Sequence, residues 1–308
     1  GALLHDIGKF VWRAHKEFQF TKHAELSREF FRDYIKQNPL FSNHPDFVDQ
    51  IEKYIDHHEV YHKISSADRL SAIERKNDKS ELSRRPLMPI SSEISIGKET
   101  DASSYYYEPD IIGTAIKFPK IAGTKQANIN WDTIIGTTTD KVKSNYDKFV
   151  EEVKNIPAKS IAAYSDTLYA IFEKYLSHVA SAGYRSYPDI SLFDHSRTVA
   201  AIALAKEYAG AVEKPFILIH GDISGIQNFI YKISSGDSSG TKKMAKRLRG
   251  RSFYINLLTD TITSLIIDHL DLFMANILFS GGGNFIILSQ NTTEANEKLD
   301  LLEKEINK

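Results

Sequence analysis

The chain contains no cysteine. Disulfides and thiolate metal sites are therefore excluded within it, and histidines and carboxylates are left as the metal ligands. It also lacks a long apolar run. No stretch approaches the roughly eighteen apolar residues that a membrane helix needs, and no signal peptide is visible. A cytoplasmic location without a membrane partner is the expectation. An excess of charge of either sign is missing too. Lys plus Arg total 39 and Asp plus Glu 40, so a nucleic-acid partner has to be argued from local patches. What is present is ordinary for a globular protein: 42% hydrophobic and 26% charged over 308 residues. That is enough for two domains with separate cores.

The pattern from Gly1 to about Lys76 is helical. Ala24 to Phe31 and Phe47 to Ile55 place apolar residues three and four apart, with Asn38-Pro39 and Asn43-His44-Pro45 as turns between them. Another helix is expected over Ser66 to Arg75. Residues 77–139 are rich in Ser, Thr, Lys and Pro and read as a loop-rich insertion with short strands. Helical periodicity returns over 140–212. From 213 the grammar changes again. Phe216 to His220 suits a buried strand, Ile226 to Tyr231 a short helix, and Lys243 to Leu270 a long amphipathic one. Ala275 to Ser280 and Asn284 to Leu288 read as strands joined by a Gly281-Gly282-Gly283 hairpin. Thr293 is expected to cap a last helix. The fold class is therefore α+β: an all-helical domain over 1–76, then a βαββα, ferredoxin-like domain over 213–308 whose last strand is lacking. With no initiating Met and an unfinished domain, a fragment is expected.

The chemistry concentrates at Leu3-Leu4-His5-Asp6-Ile7-Gly8-Lys9. On a helix, adjacent residues point about 100° apart. His5 and Asp6 can thus offer an imidazole nitrogen and a carboxylate oxygen to one metal at the edge of a buried face. Lys9, one turn on, is placed to meet a phosphate. Further ligand types follow at His23, His57, His58, His62 and Asp68, with His57 and His58 not separable by sequence and His62 expected on the surface. Asp194-His195 is another such pair, but no other ligand type lies close to it in sequence, and it reads as structural. Lys242, Lys243, Lys246, Arg247, Arg249 and Arg251 crowd one stretch. They read as a solvated helix face or as a nucleic-acid or partner surface, with Phe253 and Tyr254 beside them in the core.

The frame around His5-Asp6 closely resembles the signature of the HD phosphohydrolase superfamily. In its dinuclear members, extra histidines and a late aspartate hold a second metal. Ile55-Asp56-His57-His58-Glu59 and Ala67-Asp68 resemble those elements. The resemblance implies His5, Asp6, His23, His57, His58 and Asp68 as ligands, and His5, Asp6 and Lys9 as the catalytic set. The superfamily's leading histidine has no room ahead of His5.

His220-Gly221-Asp222-Ile223-Ser224-Gly225 resembles the first palm strand and turn of the large subunit of type III CRISPR effector complexes, in its Csm-type form. Arg247 to Tyr254, Leu278 to Phe285 and Asp189 to His195 resemble its later helix, hairpin and linking segment. The resemblance implies a nuclease for single-stranded DNA that uses manganese, nickel or cobalt. It also implies a noncatalytic first palm that binds ATP and magnesium together with a second palm. Asp222, Ser224, Gly225, Gly282, Gly283 and Asn284 are the nucleotide-binding candidates. The family's Gly-Gly-Asp-Asp turn does not occur here. The implied partners are the other effector subunits, notably the small-subunit-like and guide-end-binding ones, together with guide and target RNA. The alternatives are an HD hydrolase of nucleotides or cyclic dinucleotides, and a scaffold with a degenerate site.

Overall fold

A computed structural model describes residues 1–308 except 19, 56–62, 74, 76, 78–80, 94–102, 114–117, 125–128, 158, 232–240 and 308, and leaves out the side chains of 63, 92, 93, 103, 124 and 241–243. The chain divides into two units, Gly1–Val199 and Ala200–Lys308.

The first unit is built on helices whose apolar faces converge on aromatic rings. They are α1 (Gly8–Ala14), α2 (His23–Phe30), α3 (Pro45–Ile55), α4 (Lys63–Ser71), α5 (Trp131–Lys154), α6 (Ile161–Leu176) and the first part of α7 (Leu192–Ala209). Phe149 of α5 is fully buried. Its ring lies 5.5 Å from Phe10 of α1, 5.5 Å from Phe30 of α2 and 5.6 Å from Phe172 of α6. Edge and stacked ring pairs at these spacings add to the area they bury. One side chain therefore ties the chain's first helices to α5 and α6, more than a hundred positions later. Between α4 and α5 lies a two-stranded antiparallel ribbon, β1 (Ser103–Tyr106) with β2 (Lys120–Thr124).

Helix α5 starts at Trp131, earlier than the 140 expected from periodicity. Asn130 accepts the Thr133 N–H at 3.0 Å as its N-cap. Gly136 and Thr137-Thr138-Thr139 look unfavourable for helix, but the threonine hydroxyls turn inward on the helix. They donate to the Ile134 and Ile135 carbonyls, which lets β-branched residues sit there.

The second unit contains β3 (Phe216–Asp222), α8 (Ile226–Tyr231), α9 (Thr241–His269), β4 (Ile277–Gly281), β5 (Asn284–Gln290) and α10 (Thr293–Ile306). The sheet order is β3-β5-β4, antiparallel throughout. First strand beside third, third beside second, is what a split β-α-β crossover produces, and it matches the expected ferredoxin-like order. One face packs Phe285 and Ile287 against Ile266, Ile267 and Leu270 of α9 and Ala295 and Leu302 of α10. The β4–β5 turn has Gly282 at φ +63° and Gly283 at φ +89°, the two positive values of a type I′ hairpin. Two features differ from expectation. The last helix is capped by Thr292, which accepts the Ala295 N–H at 3.1 Å, rather than by Thr293. Phe253 and Tyr254 are not core: they are 68% and 53% exposed, because α9 turns Ile255, Thr259 and Thr263 inward instead.

Candidate metal centre

His5 and Asp6 lie in the helical turn between a 3₁₀ segment, Ala2–Leu4, and α1. They are not inside a regular α-helix, but His5 still has right-handed helical φ and ψ. Both are almost wholly buried. Ser27 of α2 clamps this turn. Its hydroxyl faces the His5 and His23 carbonyls, each at 2.9 Å, and accepts the Gly8 N–H at 2.8 Å. The approach is so close that a Cβ on Gly8 would fall 1.9 Å from the His23 carbonyl oxygen. Gly8 is therefore what lets α1 and α2 touch at their first turns, and this contact brings His23 to Asp6.

One ligand atom each from His5, Asp6, Asp68 and His195 lies within 4.8 Å of the others. His195 Nε2 is 3.1 Å from Asp6 Oδ2 and 3.1 Å from Asp68 Oδ1. His5 Nε2 is 3.4 Å from Asp6 Oδ2 and 3.9 Å from Asp68 Oδ1. Nitrogen and oxygen ligands bind a divalent ion at about 2.0–2.2 Å, so opposite ligands end up about 4.4 Å apart. The observed spread needs only small side-chain shifts to meet that. Two imidazoles and two carboxylates also neutralise a 2+ ion, and the donor set fits a divalent metal.

The tautomers agree with this use. Nδ1 of His5 lies 2.7 Å from the Ala2 carbonyl oxygen. An acceptor there keeps a proton on Nδ1 and leaves Nε2 as the nitrogen turned towards Asp6 and Asp68.

Burial alone raises the Asp6 carboxyl. Lys9, His5, His195 and His23 outweigh burial and hold it well below the usual carboxylate range. Burial likewise raises Asp68, yet His195 and His5, against the repulsion of Asp6, bring it down to about 2. Both carboxylates are ionised at neutral pH, as ligands must be. Lys9 Nζ is 2.5 Å from Asp6 Oδ2. On the other side of the same carboxylate, His23 Nε2 is 3.2 Å from Oδ1. His23 and Asp68 are partly exposed, whereas His5 and His195 are not. The site therefore opens on the His23 and Asp68 side.

The structure thus brings together His5, Asp6, Lys9, His23 and Asp68. His57, His58 and His62 lie outside the described residues. His195 corrects the sequence reading, which took the Asp194-His195 pair as structural. Half of that pair is. Ser191 donates to Asp194 Oδ2 at 2.7 Å and accepts the Asp194 N–H at 2.9 Å, a capping arrangement at the start of α7. That cap directs Asp194 outward, and the next residue turns inward onto the cluster. No spacing rule links His195 to Asp68, so nothing local in the sequence announced it.

In the second unit, Asp222 pairs with Asn284 across β3 and β5, the Ile223 N–H donates to the Gly283 carbonyl at 2.8 Å, and Asn284 Nδ2 lies 3.0 Å from His220 Nε2. Asp222, Gly282, Gly283 and Asn284 therefore cluster at one end of the sheet, with Ser224 and Gly225 following directly before α8. Lys246, Arg247 and Arg249 are exposed on α9, and the Lys243 side chain lies outside the described residues.

A family model for the HD domain matches residues 1–105, and one for Csm1 subunit domain B matches 215–308. A curated relative from Methanocaldococcus jannaschii, named as the CRISPR system single-strand-specific deoxyribonuclease Cas10/Csm1 of subtype III-A, is 32% identical over the whole of this chain. The chain belongs to the Cas10/Csm1 family. It spans 42% of that relative's length. Among solved structures, Csm1 in T. onnurineus superposes with a TM-score of 0.68 at 28% identity, covering 98% of this chain and 40% of the other. A Csm1–Csm4 cassette in complex with one ATP gives 0.66 at 28% identity, with the same coverage. Among the described residues, no helix of this Cas10/Csm1 chain is long and apolar enough to cross a membrane.

Proposed function

We propose that the first unit is a metal-dependent nuclease for single-stranded DNA. The observation that carries this is the convergence of His5, Asp6, Asp68 and His195 on one point, beside a lysine. A divalent ion held there, manganese, nickel or cobalt by the family resemblance, would supply Lewis-acid polarisation of a phosphodiester oxygen and would lower the pKa of a water. The chain's own groups do the rest. Asp6 presents Oδ2 to His5 and His195 and Oδ1 to His23, so Asp6 and His23 would be the described residues able to hold a second ion. Lys9 offers its ammonium to the phosphate. The nuclease name of the Methanocaldococcus relative supports the substrate class.

In the second unit, Asp222, Ser224, Gly225, Gly282, Gly283 and Asn284 form the noncatalytic part of an ATP and magnesium site that a second palm completes. The ATP-bound Csm1–Csm4 cassette supports that reading. It also supports assembly with a Csm4-type effector subunit, while contact with other subunits and with guide and target RNA rests on the family resemblance. Exposed Lys246, Arg247 and Arg249 are candidates for that contact.

The test is a cleavage assay on end-labelled single-stranded and duplex DNA of the same sequence, with manganese, nickel or cobalt added to chelator-treated protein. Single strands are cut and duplex is spared, and Asp6→Ala abolishes cutting while the circular dichroism spectrum is kept. Full cleavage by folded Asp6→Ala protein refutes the assignment.

A further inference from the structure

Beside the metal cluster the first unit has a cleft of about 280 Å³. Lys9 and His23 are among its lining residues, and both of them contact Asp6. The cleft therefore begins where the cluster is open. Trp12, Arg13, Lys22 and Tyr184 line it as well, and no carboxylate is among the described residues that line it. Its volume suits one nucleotide and not a base pair.

The walls are held rigidly and stay cationic. Arg13 donates to the Arg85 carbonyl at 3.0 Å, and Arg85 donates to the Gly183 and Ser186 carbonyls at 3.0 and 2.9 Å. Arg84 donates to the His15 carbonyl at 3.1 Å and lies over the Trp12 ring at 4.4 Å. Arg84 is not among the residues that line the cleft, whereas Trp12 is. Carbonyl partners satisfy hydrogen bonds without cancelling charge. Burial, with Arg84 and Arg85 close by, lowers Arg13 only to about 10, and it remains a cation at neutral pH. Gly183 packs so tightly that a Cβ would lie 2.6 Å from the Ser83 carbonyl oxygen, which fixes the loop that carries Tyr184. Tyr184 itself is 55% exposed.

Cations along a narrow groove with aromatic faces between them are the means by which proteins hold single strands, the cations tracking phosphates and the rings stacking on bases. We propose that this cleft is the subsite for one nucleotide of a DNA single strand adjoining the scissile phosphate. Its base stacks on Trp12 and Tyr184, and its phosphate is held by Lys9 and Lys22. This rests on the nuclease reading above and explains why a duplex, whose bases are already stacked and paired, is excluded.

The experiment reads binding apart from cleavage. Fluorescence anisotropy of labelled oligothymidylate is measured in chelator, where no cutting occurs. Tyr184→Ala and Trp12→Ala each raise Kd about 5- to 100-fold, and Trp12→Phe restores most of the loss. The chain has two tryptophans, so in a Trp131→Phe background the Trp12 emission alone reports. It is quenched saturably by the oligonucleotide and not by the matching duplex. Tyr184 is exposed, so its variant remains informative if Trp12→Ala unfolds. Unchanged affinity in folded Tyr184→Ala, or equal quenching by duplex, overturns the proposal. If wild type cuts single strands while these variants bind normally, the subsite alone is wrong. If wild type binds through Trp12 and Tyr184 yet cuts nothing under any metal, the nuclease reading fails and the binding site stands.

Discussion

Ser71 Oγ lies 3.2 Å from His195 Nδ1 and donates its own proton to the Asp68 carbonyl at 2.9 Å. With its hydrogen committed to Asp68, Ser71 accepts from His195 Nδ1, which leaves Nε2 as the nitrogen turned to Asp6 and Asp68, at 3.1 Å from each. Arg75 also lies 3.3 and 3.2 Å from the two ring nitrogens. An atom nearly equidistant from both cannot lie in the ring plane without overlapping Cε1, so the guanidinium packs on the ring face.

Ser71→Ala should therefore weaken metal binding about 10- to 100-fold, the usual effect of losing a partner that orients a ligand. Calorimetric titration of manganese into chelator-treated protein measures it, and Ser71→Thr, which keeps the hydroxyl, should recover most of the affinity. Equal affinities for all three proteins would show that Ser71 does not orient His195.

Adjacent residues should behave oppositely at the start of α7. His195→Ala removes a ligand, and bound metal and DNA cleavage are lost together with the fold retained. Asp194→Ala loses part of a helix cap, about 1 kcal/mol, and leaves metal content and cleavage near wild type. Metal analysis and thermal melts of the two variants separate these outcomes. A metal-free but folded Asp194→Ala would reverse the assignment.

Gly8→Ala should be among the costliest single-methyl additions in the chain. The new Cβ would meet the His23 carbonyl oxygen at 1.9 Å, with the Ser27 nitrogen at 2.7 Å, and backbone atoms cannot swing aside. Overpacking of this kind costs about 1–3 kcal/mol or more, a fall of several degrees in Tm for a domain of this size. Whatever folds should also bind less metal, because α2 has moved His23. An unchanged Tm and metal affinity would mean that the two helices are not in this contact.

Incubated alone with ATP and magnesium, the chain should make no cyclic oligoadenylate. Two-metal phosphoryl transfer needs several carboxylates around the ions. At the hairpin end of the sheet, Asp222 faces Asn284, a neutral amide. Chromatography of the reaction with labelled ATP is the measurement, and oligoadenylate from the chain by itself would place a polymerising site here.

Much of the candidate site was legible without coordinates because its signals are local. Leu4-His5-Asp6-Ile7-Gly8-Lys9 is a contiguous run, and the two positive-φ glycines of the β4–β5 turn sit between two apolar strands. The short-range periodicities that define α2, α3 and the strands of the second unit depend only on neighbours three, four or two apart. For these the sequence determined element type, order and the first candidate ligands.

Tertiary structure alone decided the rest. His195 joins His5, Asp6 and Asp68 through the packing of helices far apart in sequence, with Phe149 gathering α1, α2, α5 and α6 into one core and Ser191 and Asp194 capping the start of α7. Phe253 and Tyr254 looked like core residues by composition, yet α9 spends its buried stripe on Ile255, Thr259 and Thr263. The cleft of Trp12 and Tyr184 draws its walls from residues more than 150 positions apart and has no sequence motif. Spacing along a chain reports only neighbours within a turn or a pleat; which distant faces meet is settled by close packing of the whole core.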